Sequence, residues 1–321
     1  MITVVGEALV DLTVSADWSC RASPGGAPAN VAVALARLGR DVSLRARISR
    51  DGFGAMLRQH LSANGVSQRD LVTAREPATL AIATLDPAGQ ASYSFYLSGT
   101  ADWMWRGPEL AVPLAADVDA LYLGSLACAL PPGAAHVESL ARRTRSAGRA
   151  VVVYDPNLRP GVAAGRDAER RRVERQIRHA HVVKASAEDA GWLYPGEPAG
   201  EVARRWQRLG PDLVVITLGA GGVFGLGRNG AEVTVPAVPA AVRDTIGAGD
   251  AFSAGLLDAM ADEHLLGPEG IARLASADAA LLGRLLASGA LVAAMTCERS
   301  GADPPRKADV LRRRGTGPPA A

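Results

Sequence analysis

Five short apolar runs, Ile2 to Val5, Ala120 to Leu123, Ala150 to Tyr154, His181 to Val183 and Leu213 to Thr217, are spaced along the chain by longer amphipathic stretches. Runs this short and continuous read as strands buried on both faces. Such strands pair in parallel, because the helices that connect them also cover the sheet. The intervening stretches carry helical signals. Val31, Leu35 and Leu38 recur at helical spacing after Pro28 and stop at Gly39, while Met56, Leu57 and Leu61 follow Phe53 and stop at Gly65. Further helices are expected over Gly133 to Ser146, Ala168 to His179, Glu201 to Leu209, Gly249 to Met260 and Ser276 to Met295. The alternation predicts an α/β fold: a doubly wound, mostly parallel sheet with helices on both faces and ligands at the carboxyl ends of its strands.

Two regions depart from this pattern. Thr79 to Leu85 and Ala91 to Leu97 are β-rich and separated by Asp86-Pro87-Ala88-Gly89-Gln90, which is a hairpin signal and not a crossover. A small sheet projecting from the body would account for it, and so would an ordinary edge hairpin. The segment from Arg306 to Ala321, with Arg312-Arg313-Arg314 and a Gly-Pro-rich finish, reads as a solvated, frayed tail. One domain over 1–305 followed by a flexible basic tail over 306–321 is therefore expected.

Bulk properties exclude several function classes. A net charge of +2 generates no field that would recruit nucleic acid or a membrane, and no aromatic residues interleave with the arginine triplet. Cys20, Cys128 and Cys297 are odd in number and form no CxxC pair, so neither a disulfide framework nor a zinc site is indicated. The first residues lack a basic leader, and no run of about 18 apolar residues stands out. A soluble protein of the reducing cytoplasm is expected. Lys184 and Lys307 are the only lysines, which draws attention to the one inside the body.

The chemistry concentrates in Asp244-Thr245-Ile246-Gly247-Ala248-Gly249-Asp250 and the apolar helical stretch that follows. Gly247, Ala248 and Gly249 bring consecutive N–H groups to a helix start, where unsatisfied amides and the macrodipole attract anions. Asp250 then stands in the first turn. A carboxylate beside an anion site is electrostatically awkward unless it serves as a general base, although a capping Asp after a Gly-rich turn would look the same. Asp11 follows the first strand and can accept hydrogen bonds from neighbouring hydroxyls; Gly25 and Gly26 allow close approach to their backbone, and Asn30 offers donor and acceptor. A turn Asp and Gly or Asn caps are the alternatives. No G-x-x-x-x-G-K-[ST] occurs, and Asp51-Gly52-Phe53-Gly54 stands alone without its usual kinase companions. No G-x-G-x-x-G follows the first strand, which argues against a dinucleotide dehydrogenase.

Asp244 to Gly255 resembles the second signature of the ribokinase-like (PfkB) carbohydrate kinases, and Gly25-Gly26-Ala27-Pro28-Ala29-Asn30-Val31-Ala32 resembles their first. The resemblance runs from Val4 to about Pro305. It implies an ATP-dependent sugar kinase in which Asp250 is the base, Gly247, Ala248 and Gly249 hold the migrating phosphoryl charge, and Asp11, Gly26 and Asn30 hold the sugar, with Gly25 beside them. Asp155-Pro156-Asn157-Leu158-Arg159 resembles the D-x-N-x-R element of fructokinases and 2-keto-3-deoxygluconate kinases, so Arg159 is a candidate for binding substrate or phosphoryl oxygens; a surface ion pair is the alternative. Those relatives often continue with Leu-Trp, where this chain has Gly161-Val162. Fructose is the first-ranked sugar, with ketodeoxygluconate, ribose and nucleosides as alternatives and a catalytically silent sugar-binding regulator as a rival from another class.

For the nucleotide, the resemblance implies Lys184, Thr217, Gly219 and Gly222, although Leu218 to Val223 would also suit a plain hairpin turn. Glu188 would hold Mg²⁺ through water, or Ser186 and Glu188 would simply cap a helix. Asp244 and the Ile246 carbonyl match two ligands of a monovalent cation site, K⁺, completed by residues 297–302. A lid built from about 11–20 and 76–106 would cover the sugar and supply a homodimer surface, with Trp103 or Tyr96 touching substrate.

Overall fold

The structure is a computed structural model that describes residues 1–15, 17–85 and 91–315, with the backbone alone at 85 and 91–93. The expected hairpin turn at 86–90 and the end of the expected tail, 316–321, lie outside the described residues. The first part of the chain forms β1 (Ile2–Val5), β2 (Leu9–Val14), β3 (Cys20–Gly25), α1 (Ala27–Arg37), β4 (Val42–Arg45), β5 (Arg47–Ser49), α2 (Gly52–Ala63), β6 (Val72–Ala74), β7 (Leu80–Leu85), β8 (Ala91–Tyr96) and α3 (Gly107–Ala111). The middle forms β9 (Ala120–Gly124), α4 (Ala134–Ala147), β10 (Val151–Asp155), α5 (Arg166–Ile177), β11 (Val182–Ser186), α6 (Ala187–Leu193) and α7 (Ala199–Gln207). The last part forms β12 (Leu213–Thr217), β13 (Val223–Gly227), β14 (Glu232–Val235), α8 (Ala248–Asp262), α9 (Gly267–Ala275), α10 (Ala279–Cys297) and α11 (Lys307–Gly315).

The main sheet runs β14-β13-β12-β11-β10-β9-β1-β4 and is parallel except for β13 and β14. Alternate residues of each strand feed two cores. Val4, Tyr122 and Val153 face one with α1, α8 and α10; Val5, Leu123 and Tyr154 face the other with residues of α4 to α7. Burial on both faces explains why these strands are apolar without alternation. The chain moves from β1 to β4 on one side and then returns to β9 on the other, a switch point whose carboxyl ends form a natural cleft.

A second sheet, β3-β2-β7-β8, stands apart, as expected of Thr79 to Leu85 and Ala91 to Leu97. Its other half is longer than the expected contribution from Asp11 to Ser19, because β2 starts at Leu9 and β3 continues to Gly25. The outer strands β4, β13 and β14, of which β4 and β14 form the edges, were illegible: Val-Ser-Leu-Arg is too polar to read as a buried run, yet all four residues of β4 are buried. Asp51, from the isolated Asp-Gly-Phe-Gly, caps α2 by accepting from the Gly54 amide at 2.8 Å.

Two expectations fail near the carboxyl terminus. Instead of a frayed tail, residues 307–315 form α11, which inserts Val310 into the core and pairs Lys307 with the buried Asp258 at 2.9 Å. Helix α10 is long and apolar enough to cross a membrane, contrary to the expectation that no such run exists. Here its apolar residues Leu282, Leu285, Leu286 and Val292 are buried in the core that it shares with α8.

Close approach of α8 and α10 depends on missing side chains. A β-carbon on Gly255 would lie 2.9 Å from the Ser288 carbonyl oxygen and 3.0 Å from Gly289 Cα, both fixed backbone atoms. Gly255→Val should therefore destabilise the fold by about 1–3 kcal/mol, measured by urea unfolding, because the helices must separate. Native-like stability would show that the contact is loose.

Candidate active site

Helix α8 begins at Gly247, whose φ of +76° is the left-handed geometry that favours glycine. A β-carbon there would also stand 2.7 Å from Ala302 Cβ. The amides of Gly247 and Gly249 have no hydrogen-bond partner among the described residues, whereas the Ala248 amide turns back to the Thr245 carbonyl at 3.2 Å. Two of the three expected cradle amides thus point free at a helix start. Gly249 is exposed, and one residue later Asp250 is only 7 % exposed.

Burial pushes the Asp250 carboxyl up to about 7. A hydrogen bond from Asn30 Nδ2 at 2.9 Å and the Lys184 charge pull it down, while the Asp155 charge adds to the rise. The carboxyl is thus poised near neutrality and held by the residue that the first glycine-rich motif delivers on α1. Gly26 precedes α1 with φ +102°, and a β-carbon there would meet the Glu7 carbonyl at 2.7 Å. At Gly25 a β-carbon would collide with the Asp11 carboxylate, so Asp11 leans across Gly25 toward the same cleft. The Asp11 side chain reaches solvent, but the protein packed around it raises its pKa to about 6, against the pull of Arg159. The Arg159 charge also lowers Asp250, so one guanidinium acts on both carboxyl groups. Its Nη1 donates to Asn157 Oδ1 at 2.6 Å and to the Leu158 carbonyl at 2.9 Å, so the side chain is folded over its own loop.

Lys184, on β11, is 4 % exposed, and its Nζ lies 3.2 Å from where a β-carbon on Gly249 would stand. The ammonium is thereby set against the cradle. Thr217 closes β12 and donates weakly to the Ala185 carbonyl at 3.4 Å. The following glycines form the hairpin connection to β13, with Thr217 paired to Val223. Gly219 is open to solvent, but Gly222 needs to be glycine for a packing reason, since a β-carbon would strike the Val235 carbonyl.

Ser186 does cap α6, though its partner is Asp189 and not Glu188: the Asp189 amide donates to Ser186 Oγ at 3.0 Å, and the Ser186 amide returns to Asp189 Oδ2 at 3.1 Å. Glu188 is left exposed and unpartnered among the described residues. An open carboxylate of this kind fits Mg²⁺ held through water. Asp244 accepts from the Ile246 amide at 3.0 Å and from the Gly301 amide at 2.7 Å, which joins the α8 loop to residues 297–302.

Trp103 departs from expectation. It is 3 % exposed and packed with Leu97, Leu126, Leu130 and Val162, so its ring serves a small core instead of offering a face to a sugar. Tyr96 remains 60 % exposed on β8. Three buried carboxylates near the site were given no role of their own by the sequence reading, Asp155 among them although it stands in the D-x-N-x-R element. Glu7 accepts from the Ala127 amide at 3.1 Å, and Asp102 accepts from the Ala8 amide at 2.9 Å; together they brace the chain where the small sheet leaves the body. Burial raises Glu7 and takes Asp102 up to about 7. The third, Asp155, ends β10 and pairs with Lys184 Nζ at 2.8 Å. A lone acidic residue at the carboxyl end of the run Ala150 to Tyr154 was the available signal.

Comparison with known proteins places these features in a family. The pattern of pfkB family carbohydrate kinases matches residues 1–308. A fructokinase from Rhizobium leguminosarum bv. trifolii is 34 % identical over 278 residues, 85 % of this chain and 84 % of its own length. The crystal structure of a fructokinase with bound ATP from Xylella fastidiosa superposes with a TM-score of 0.87 at 28 % identity, covering 98 % of each chain. An aminoimidazole riboside kinase from Salmonella enterica gives a TM-score of 0.82 at 27 % identity, covering 98 % of this chain and 99 % of its own.

A carboxyl with an elevated pKa makes the native fold bind a proton that the unfolded chain releases above about 4. Its contribution to stability is therefore present in acid and lost as pH rises through 7. Asp250→Asn should be more stable than the native protein at pH 8, by about 1–3 kcal/mol, and equal to it below pH ~4. Urea unfolding at the two pH values checks this, and a loss of stability at pH 8 would contradict it.

Proposed function

Because the chain belongs to the pfkB family of carbohydrate kinases, and so is a phosphotransferase acting on a sugar hydroxyl, we propose that it transfers the γ-phosphate of ATP to fructose. The observation that carries this reading is Asp250: a carboxyl with its pKa near 7, one residue inside a helix start whose free amides face solvent. The hydroxyl proton passes to Asp250 as the sugar oxygen forms its bond to the γ-phosphorus. The bond from that phosphorus to the bridging oxygen breaks, and ADP leaves. The amides of Gly247 and Gly249, with the Lys184 ammonium, face the charge that spreads over the transferring group. Asp11, Gly25, Gly26 and Asn30 hold the sugar, and Arg159 reaches from the opposite loop toward substrate oxygens.

Thr217, Gly219 and Gly222 border the nucleotide in this reading. Glu188 would hold Mg²⁺ through water, and the ion would supply positive charge to the phosphates. Asp244 and the Ile246 carbonyl would hold K⁺, whose charge would steady the loop that carries the cradle. The four-stranded sheet acts as a lid that excludes water from the transfer. Its exposed Trp18 and Tyr96, 80 % and 60 % accessible, suit a homodimer contact, and the cytoplasm is the compartment.

A second reading, a nucleoside-like substrate, is favoured by one observation besides the riboside kinase likeness. A cavity of about 120 Å³ opens beside Arg159, walled by Leu126, Leu130, Leu158 and Val162, and offers room for an apolar group next to that guanidinium. ATP consumption with fructose, ketodeoxygluconate, ribose and aminoimidazole riboside decides between the two. The largest kcat/KM is expected for fructose, and a preference for the riboside would replace it.

Asp250→Asn should lower kcat by ~10² to 10⁴ while ATP affinity, measured calorimetrically, stays within a few-fold. In the native enzyme kcat/KM should rise with pH through about 7 as Asp250 loses its proton. Near-native turnover in Asp250→Asn would remove the base from the mechanism.

A further inference from the structure

Asp155 lies at the carboxyl end of β10 and is fully buried. Its Oδ1 accepts from the Asn157 amide at 3.1 Å, and its Oδ2 receives Lys184 Nζ at 2.8 Å, with the Tyr122 hydroxyl 3.4 Å away. Lys184 comes from the neighbouring strand, also buried, and finds no other hydrogen-bond partner among the described residues. Its ammonium has three donors and one acceptor, and it stands against Gly249. A buried pair of this kind is costly to maintain, and apolar side chains of similar volume would fill the space at lower cost. The rest of the strand shows that this chain has apolar residues for such a place, since Val151, Val152 and Val153 are all buried there.

The geometry points to Asp155 as a positioning residue that keeps the Lys184 ammonium charged and aimed at the phosphoryl cradle. This inference rests on the kinase reading above and deepens it, because neither the glycine loop nor Lys184 needs Asp155 in order to be present. The physical reason is that an unpaired ammonium at this depth would shed its proton. Burial pulls Lys184 down, and the carboxylates around it, Asp155 foremost with Asp250 and Asp189 behind it, lift it above the usual lysine range. The other charged and titratable groups facing the pair are Asp250 on α8, Asp189 on α6 and Tyr122 on β9, while Arg159 from the loop after β10 acts on Asp250. Asp155 also contributes to the elevated pKa of Asp250, so one buried carboxylate biases both the charge that receives the phosphate and the base that receives the proton.

The two effects separate on a pH profile. In Asp155→Asn the alkaline limb of kcat, where Lys184 loses its charge, should move down by about one unit or more, and the acid limb set by Asp250 should move down as well. On the alkaline side of both limbs kcat should fall ~10-fold or more below the native value, and ATP affinity measured by calorimetry should weaken increasingly as pH rises. Lys184→Met should have no such alkaline limb, and adding Asp155→Asn to it should leave the alkaline side unchanged; Lys184→Arg should restore turnover in part, because its charge does not depend on Asp155. A native pH profile with native kcat in Asp155→Asn overturns the inference. If that variant does not fold, native turnover and ATP affinity in Lys184→Met overturn it instead. Asp250→Asn in the same series keeps the readings apart: its near-native turnover would sink the base, whereas the calorimetric pH dependence of ATP binding judges Asp155 independently.

Discussion

Helix α8 is buried from Asp250 to Met260 on every side, between α1 and α10 and against the sheet. Its amino end is the exception, since Thr245, Ile246 and Gly249 are exposed. The step from solvent to protein interior therefore falls between residues 249 and 250. Free amides on the wet side can meet a hydrated phosphate, while the carboxyl on the dry side keeps a pKa fit for taking a proton near neutrality. Were α8 a surface helix, Asp250 would behave as an ordinary first-turn acid favoured by the macrodipole. The close approach at Gly255 and Gly289 is what lets α10 cover it.

Around that helix start, charged groups of alternating sign arrive from separate elements: Asp11 from β2, Asp155 and Arg159 from the end of β10, Lys184 from β11 and Asp250 from α8. Each one is set by its neighbours, for unpaired charges at such depth would be too costly to hold. Arg159 acts on both Asp11 and Asp250, and Lys184 is shared between the cradle and Asp155. The buried Glu7 and Asp102 perform a different task, fixing backbone amides at Ala127 and Ala8 so that the small sheet leaves the body in one direction.

The central strands were readable because burial on both faces requires apolar residues at every position, and no turn or tertiary contact needs to be known to see that. The outer strands were not, since β4 mixes Ser43 and Arg45 with apolar neighbours and β13, next to the edge, contains Gly225, whose place is set by contact with Leu286 on α10. In the site, the glycine loop, Asp250, Asn30 and Asp11 were readable by residue type and order. Trp103 was misplaced because an aromatic residue after a β-rich segment looks the same whether its ring lines a ligand cleft or fills a core. Asp155 was seen only as part of the D-x-N-x-R element, without a role, because the partner that gives it meaning lies 29 positions away on another strand.

The order of apolar runs, helical spacings and glycine motifs was enough to determine a doubly wound α/β chain with a glycine-rich helix start and an acid beside it. These are properties of local geometry, carried by neighbours in the chain. Only the tertiary structure decided that Asp250 is dehydrated, that Asn30 donates to it, that Asp155 anchors Lys184 and that the basic carboxyl-terminal segment docks as a helix. Those outcomes depend on which distant surfaces come together and exclude water, and burial of that kind leaves no periodic mark on the residues it acts upon.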